Sequence, residues 1–165
     1  MSVDLVFLRH GPAGEADPRR WPDDRDRPLT EEGAARVTAA IATLRELGVV
    51  PTAVVTSPAA RAAATARLVV DAFSLPAAIE WPELLPEAPL DRAQTRLRTT
   101  LNAPECLGTL VVAGHEPLLT ELAGWLIARG DPASLKLDKA GLIGLRLRSG
   151  GPAELRFLIP KRLLG

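Results

Sequence analysis

The chain has 165 residues, 47% of them hydrophobic and 24% charged, which bounds it to one domain with a core large enough to need neither disulfide nor metal. Twenty basic residues balance twenty acidic ones, so no net field draws the chain to nucleic acid or an anionic membrane, and any anion site has to be built locally. Cys106 is the only cysteine, which excludes an internal disulfide and a cysteine-based metal cluster.

Asp4-Leu5-Val6-Phe7-Leu8-Arg9-His10-Gly11-Pro12 reads as a buried strand that stops abruptly in an arginine, a histidine, a glycine and a proline. Ala13 to Arg27 is a polar loop dense in Asp and Arg; it reads as solvated, though its place beside His10 would let it roof a site. Thr30 can cap a helix whose first turn holds Glu31 and Glu32; Val37, Ile41, Leu44 and Leu47 follow helical spacing, and Gly48 ends it. Pro51 to Thr56 is a second strand, running into Ser57-Pro58 as a helix cap and first helical residue, with a helix over Ala59 to Phe73. Ala77 to Trp81 is a short third strand, and Pro82 to Pro89 a loop holding Glu83 and Glu87. Leu90, Gln94, Leu97 and Leu101 mark a third helix to about Ala103. Thr109 to Ala113 is another apolar strand, followed by Gly114-His115-Glu116-Pro117 and a helix through Leu118, Leu122 and Ile127. Past the Gly130-Asp131-Pro132 break, Leu142 to Leu147 and Glu154 to Ile159 flank Ser149-Gly150-Gly151 and read as an antiparallel hairpin. Strands alternating with helices predict a single α/β domain over 1–165, a three-layer α/β/α sandwich whose mostly parallel sheet carries a late antiparallel hairpin.

Three strand ends now look alike: Leu8-Arg9-His10-Gly11, Thr56-Ser57-Pro58-Ala59-Ala60-Arg61 and Ala113-Gly114-His115-Glu116. In a parallel sheet such ends share one edge, where ligands bind, and helix N-termini add positive potential. Arg9 and Arg61 can grip phosphoryl oxygens through the planar guanidinium. His10 and His115, the only histidines in the chain, supply a nucleophile and a second polar donor. This is the makeup of a phosphoryl-transfer site that works through a phosphohistidine, with the charge neutralised by arginines rather than a metal or other cofactor.

These segments, with Thr65, resemble in order and spacing the histidine phosphatase superfamily, whose signature is Arg-His-Gly after the first strand. Arg27-Pro28-Leu29-Thr30-Glu31-Glu32-Gly33 and Pro82-Glu83-Leu84-Leu85-Pro86 are similar to the SixA-type phosphohistidine phosphatases. The resemblance covers essentially the whole chain and implies a phosphoglycerate mutase-like fold. It implies that His10 attacks phosphorus and that Arg9, Arg61 and His115 surround the phosphoryl group. Gly11 would then let the backbone approach closely, and Ser57 would cap its helix, touch phosphate, or both. Larger members place an acidic glutamate after the third strand; Glu83 and Glu87 fall in that region, and each reads equally as a solvated loop residue. A missing acid would suit a phosphoramidate, whose nitrogen can itself take the proton.

Each of the four residues alone would pass for a surface charge or a locally bonded histidine; their ordered recurrence at equivalent junctions favours the site. Glu116 suits its helix N-terminus, and Lys139 reads as a surface lysine near the rim. Trp21, Trp81 and Trp125 read as packing residues; Arg129, Arg146, Arg148, Lys161 and Arg162 as solvated charges; Cys106 as unreactive. The expected activity is metal-independent hydrolysis of phosphohistidine on a protein, with a small phosphorylated metabolite as the alternative substrate and a non-catalytic phosphate- or phosphopeptide-binding domain as the alternative class. No signal-like leader or membrane-spanning segment is visible, so a cytoplasmic location is expected, with neither nucleic acid nor membrane as partner. Nothing in the sequence specifies an oligomeric state.

Overall fold

A computed structural model describes residues 4–103, 108–128, 135–148, 151–160 and 163. Cys106, Arg129, the Gly130-Asp131-Pro132 break, Ser149, Gly150, Lys161 and Arg162 lie outside them. In chain order the elements are β1 (Leu5–Arg9), α1 (Glu31–Glu46), β2 (Pro51–Thr56), α2 (Ala60–Phe73), β3 (Ile79–Glu80), α3 (Leu90–Leu101), β4 (Thr109–Gly114), α4 (Leu118–Ala128), β5 (Leu142–Arg146) and β6 (Glu154–Ile159). Short 3-10 turns occupy Asp24–Asp26 and Pro82–Leu84.

The strands form a six-stranded sheet in the order β3-β2-β4-β1-β5-β6. β1, β2, β3 and β4 pair in parallel, while β5 runs antiparallel to both β1 and β6. Alternation along β1 shows why helices cover both faces. Val6 and Leu8 pack with Val37, Ile41 and Leu44 of α1 and Ala66 and Val69 of α2. Leu5 and Phe7 point the other way, against Leu97 of α3 and Leu118, Leu119 and Leu122 of α4. A strand buried on both sides reads as an unbroken apolar run, as β1 and β4 do. The expected three layers, parallel strands and late hairpin are all present.

Two local expectations are corrected. β3 is two exposed residues rather than five, because it pairs with β2 alone and is hemmed by Pro76 and Pro82, which lack an N–H. α2 starts at Ala60 with Ala59 as its N-cap and no side-chain cap; Ser57 Oγ instead accepts from Ala59 N at 3.3 Å, two residues before the position a capping serine would hold. Thr30 does cap α1, accepting from Gly33 N at 3.0 Å.

Register fixes the site. Arg9 pairs with Gly114 and Thr56 with Ala113, so three adjacent strands end level with one another. The ladder continues one step further: His10 N donates to Gly114 O and Ser57 N to Ala113 O, both at 3.0 Å. His10, Ser57 and His115 are therefore delivered together at the C-terminal edge of the sheet.

Candidate active site

His10 leaves β1 buried, with only 6% of its surface exposed. Its Nδ1 lies 2.7 Å from Gly11 O, an acceptor, so Nδ1 carries the proton and Nε2 keeps its lone pair. Burial lowers the His10 pKa to about 4; the bond to the Gly11 carbonyl opposes this, and the charges of Arg61, Arg9 and Lys139 add to it. The ring is thus neutral near pH 7, as a nucleophile must be.

His115 follows β4 and sits with its ring centroid 5.0 Å from that of His10, tilted by 58°. Its Nε2 is 3.0 Å from Ser57 Oγ, which ties the ends of β4 and β2 together. Burial again dominates, with the His10 and arginine charges reinforcing it, and lowers the pKa to about 3. Ser57, expected to cap its helix, touch phosphate or both, does not cap it and instead lies against this second histidine.

The two arginines come from different elements, Arg9 from β1 and Arg61 from α2. Arg9, the last residue of β1, donates from Nη1 to Leu137 O at 2.8 Å. Residues 137–141 also clamp the backbone there: Ala140 N donates to both Arg9 O and His10 O, and Arg9 N to Gly141 O. Arg61 lies in the first turn of α2, 4% exposed. Its Nη1 donates to Asp24 O at 2.7 Å and its Nη2 is 3.0 Å from Asp24 Oδ2. Thr65 Oγ1, one turn later, accepts from Gly11 N at 3.3 Å and donates to Arg61 O at 2.8 Å, so α2 is bonded directly to the His10 junction.

Gly11 does permit a close approach, and it is to the helix behind it. A Cβ there would stand 2.6 Å from Gly33 O and 2.9 Å from Leu29 Cδ1, and a Cβ on Gly33 would collide with Pro12 O. The two glycines let the β1 junction and the start of α1 touch backbone to backbone.

The remaining polar groups divide sharply. Arg9 Nε, Arg61 Nε and His115 Nδ1 are buried without a partner among the described residues, as are Glu116 Oε1 and Arg156 Nε. Three of these five belong to the four residues that the strand-end pattern singles out. Buried donors ordinarily find acceptors, so such a concentration marks where an anion's oxygens would sit. Glu87, by contrast, is taken up by Arg25 in an exposed ion pair. Glu83 lines a shallow groove along α3 with Asp91, Arg92 and Arg96. Glu116 stands next to His115; its Oε2 accepts from Thr120 Oγ1 at 2.7 Å, and burial raises its pKa. Sequence reasoning missed Asp24 and the 137–141 clamp. The density of Asp and Arg beside His10 marks the loop, but no spacing rule marks which aspartate turns inward. Trp81 is buried as expected, and no helix among the described residues is long and apolar enough to cross a membrane.

The family model for the histidine phosphatase superfamily (branch 1) matches residues 5–87, from β1 through α2 to Glu87. A protein of Picosynechococcus sp. is 35% identical over 144 residues, covering 87% of this chain and 85% of that one. Among solved structures, the protein histidine phosphatase SixA complexed with tungstate superposes with a TM-score of 0.79 at 26% identity, over 98% of this chain and 99% of that one. A phosphoserine phosphatase from Entamoeba histolytica in complex with phosphoserine shares the fold, with a TM-score of 0.72 at 13% identity over 97% and 98% of the two chains. With β1 ending in Arg9-His10-Gly11 and the family match running through Arg61, the chain belongs to branch 1 of the histidine phosphatase superfamily.

Proposed function

We propose that the protein is a protein phosphohistidine phosphatase that works through a covalent phosphohistidine on His10. The observation that carries this reading is the set of three unpartnered buried nitrogens, Arg9 Nε, Arg61 Nε and His115 Nδ1, beside a histidine whose Nε2 bears a lone pair. In the first step the Nε2 lone pair of His10 forms a bond to phosphorus as the bond from phosphorus to the leaving nitrogen breaks in line. The leaving imidazole, whose far ring nitrogen already carries a proton taken from solvent, departs as neutral imidazole with the electron pair of the broken bond. The guanidinium N–H groups of Arg9 and Arg61 and the Nδ1 of His115 bear the charge on the three equatorial oxygens. In the second step a water oxygen bonds to phosphorus, the His10–phosphorus bond breaks, and inorganic phosphate leaves with His10 restored.

The phosphoramidate substrate is favoured because Glu87 is held by Arg25 and Glu83 faces α3, which leaves the leaving group to find its own proton. Likeness to the protein histidine phosphatase SixA supports the same class. A small phosphorylated metabolite is the second reading. It is favoured by the Arg25–Glu87 pair, which joins the loop after β1 to the loop after β3.

The test is phosphate release with a chelator present, from a phosphohistidine-bearing protein and from an aryl phosphate ester, by wild type and His10→Ala. Faster turnover of phosphohistidine, lost in the variant, together with an acid-labile label on His10, is the expected result. Turnover of the ester alone moves the substrate to a metabolite. Reversible phosphate binding with no label on His10 and no turnover of either substrate would make the protein a binding domain.

A further inference from the structure

Resting on the reading that Arg61 holds the phosphoryl group, we infer that Asp24 is a positioning residue that orients Arg61 for this task. A guanidinium offers five N–H donors in a rigid plane, arranged as an end edge between the two Nη atoms and a side edge formed by Nε and one Nη. Asp24 takes the end edge: its carbonyl binds Nη1 at 2.7 Å and its Oδ2 faces Nη2 at 3.0 Å. The side edge is what remains for a ligand, and the Nε on it is a buried donor without a partner. Asp24 thus turns the guanidinium so that its unused edge belongs to the pocket.

Asp24 is itself held in place. Arg27 Nε donates to its Oδ1 at 2.8 Å and Arg27 Nη2 reaches Oδ2 at 3.2 Å, while Arg27 Nη1 donates to Gly14 O at 2.7 Å. The turn is capped by Asp23, whose carboxylate accepts from Arg25 N, and the loop is closed at its base by the Ala13–Leu29 bridge. An isolated exposed ion pair contributes little, and the Asp24 side chain is 53% exposed. Its partner, however, is a buried arginine whose direction matters, so the expected effect is on activity more than on stability.

The competing role for the same contact is a plug: a carboxylate occupying the cation and leaving when substrate arrives. The two roles have opposite signs. If Asp24 positions Arg61, Asp24→Ala lowers kcat/KM by about tenfold on whichever of the phosphohistidine protein and the aryl ester is turned over, and weakens inhibition by inorganic phosphate by a similar factor, since one charge-assisted hydrogen bond is lost. Asp24→Asn, which keeps an acceptor and lies on an exposed turn, recovers most of that loss. In an Arg61→Ala background the Asp24→Ala substitution changes neither quantity. Tighter phosphate inhibition or faster turnover in Asp24→Ala would overturn the inference in favour of a plug. An equal loss with and without Arg61 would overturn it by showing that Asp24 acts elsewhere. An Arg61→Ala variant with unaltered turnover and phosphate inhibition would instead bring down the reading of the site itself, and the inference with it.

Discussion

The chain carries two histidines at two equivalent strand ends, and their surroundings differ in a way that suits the separate roles proposed for them. Both are buried, both are held neutral, and their rings are 5.0 Å apart. His10 commits Nδ1 to the carbonyl of its own neighbour, Gly11, which leaves Nε2 free to form a bond. His115 commits Nε2 to Ser57, a residue of another strand end, which leaves Nδ1 buried and without a partner among the described residues. A local partner fixes the tautomer of His10; a long-range partner fixes the place of His115. Burial, rather than the neighbouring cations, is the largest cause of both low pKa values.

The sharpest way to break this comparison is to exchange the roles by deletion. His10→Ala is expected to lower phosphate release by at least about 10³-fold and to abolish the acid-labile label, because no other group bonds to phosphorus. His115→Ala should cost on the order of 10²-fold and leave His10 able to accept the label, as loss of one oxyanion donor does. A rapid-quench measurement of labelled enzyme separates the two; a label that vanishes in both would show that the rings act as one unit.

Acid stability probes what they share. A histidine with a folded pKa of about 4 and an unfolded value near 6.5 binds fewer protons when folded, so stability is complete above pH 6.5 and is lost as pH falls toward 4. For His10 alone the loss reaches roughly 3 kcal/mol, and His115 extends it toward pH 3. Urea melts at pH 7, 5.5 and 4.5 should show a steeper fall in wild type than in a His10→Asn, His115→Asn double variant; parallel falls would mean the rings are not desolvated. The smallest effect is expected from Ser57→Ala, which releases His115 Nε2 and should reduce kcat/KM about tenfold while His10 still labels, the loss of one buried hydrogen bond.

Much of this architecture is legible in the amino-acid sequence. Two-residue alternation and helical spacing define the layers, and the unbroken apolar runs of β1 and β4 announce strands covered on both faces. Arg9, His10, Arg61 and His115 stand out because each lies at a fixed offset from a strand end, and parallel pairing makes such offsets meet. What escapes the sequence shares one cause. Serine before proline usually caps a helix, but α2 begins three residues after Ser57, and the hydroxyl faces His115. Asp24 lies 37 residues from Arg61 and the Leu137 carbonyl 128 from Arg9, and neither contact leaves a periodic trace in the chain.

The clamp of residues 137–141 on Arg9 and His10 has a consequence for the order of events during synthesis. β1 emerges first, yet it lies between β4 and β5, and its final residues are tied by Ala140 and Gly141. His10 is thus made before the residues that clamp it and acquires these neighbours only after they follow. Contacts so distant along the chain close slowly, and a nascent chain that has passed Arg61 and even His115 still lacks the bonds that orient Arg9. A fragment ending before Leu137 would lack the bonds that hold Arg9 and His10 and, on the proposed mechanism, would transfer no phosphate.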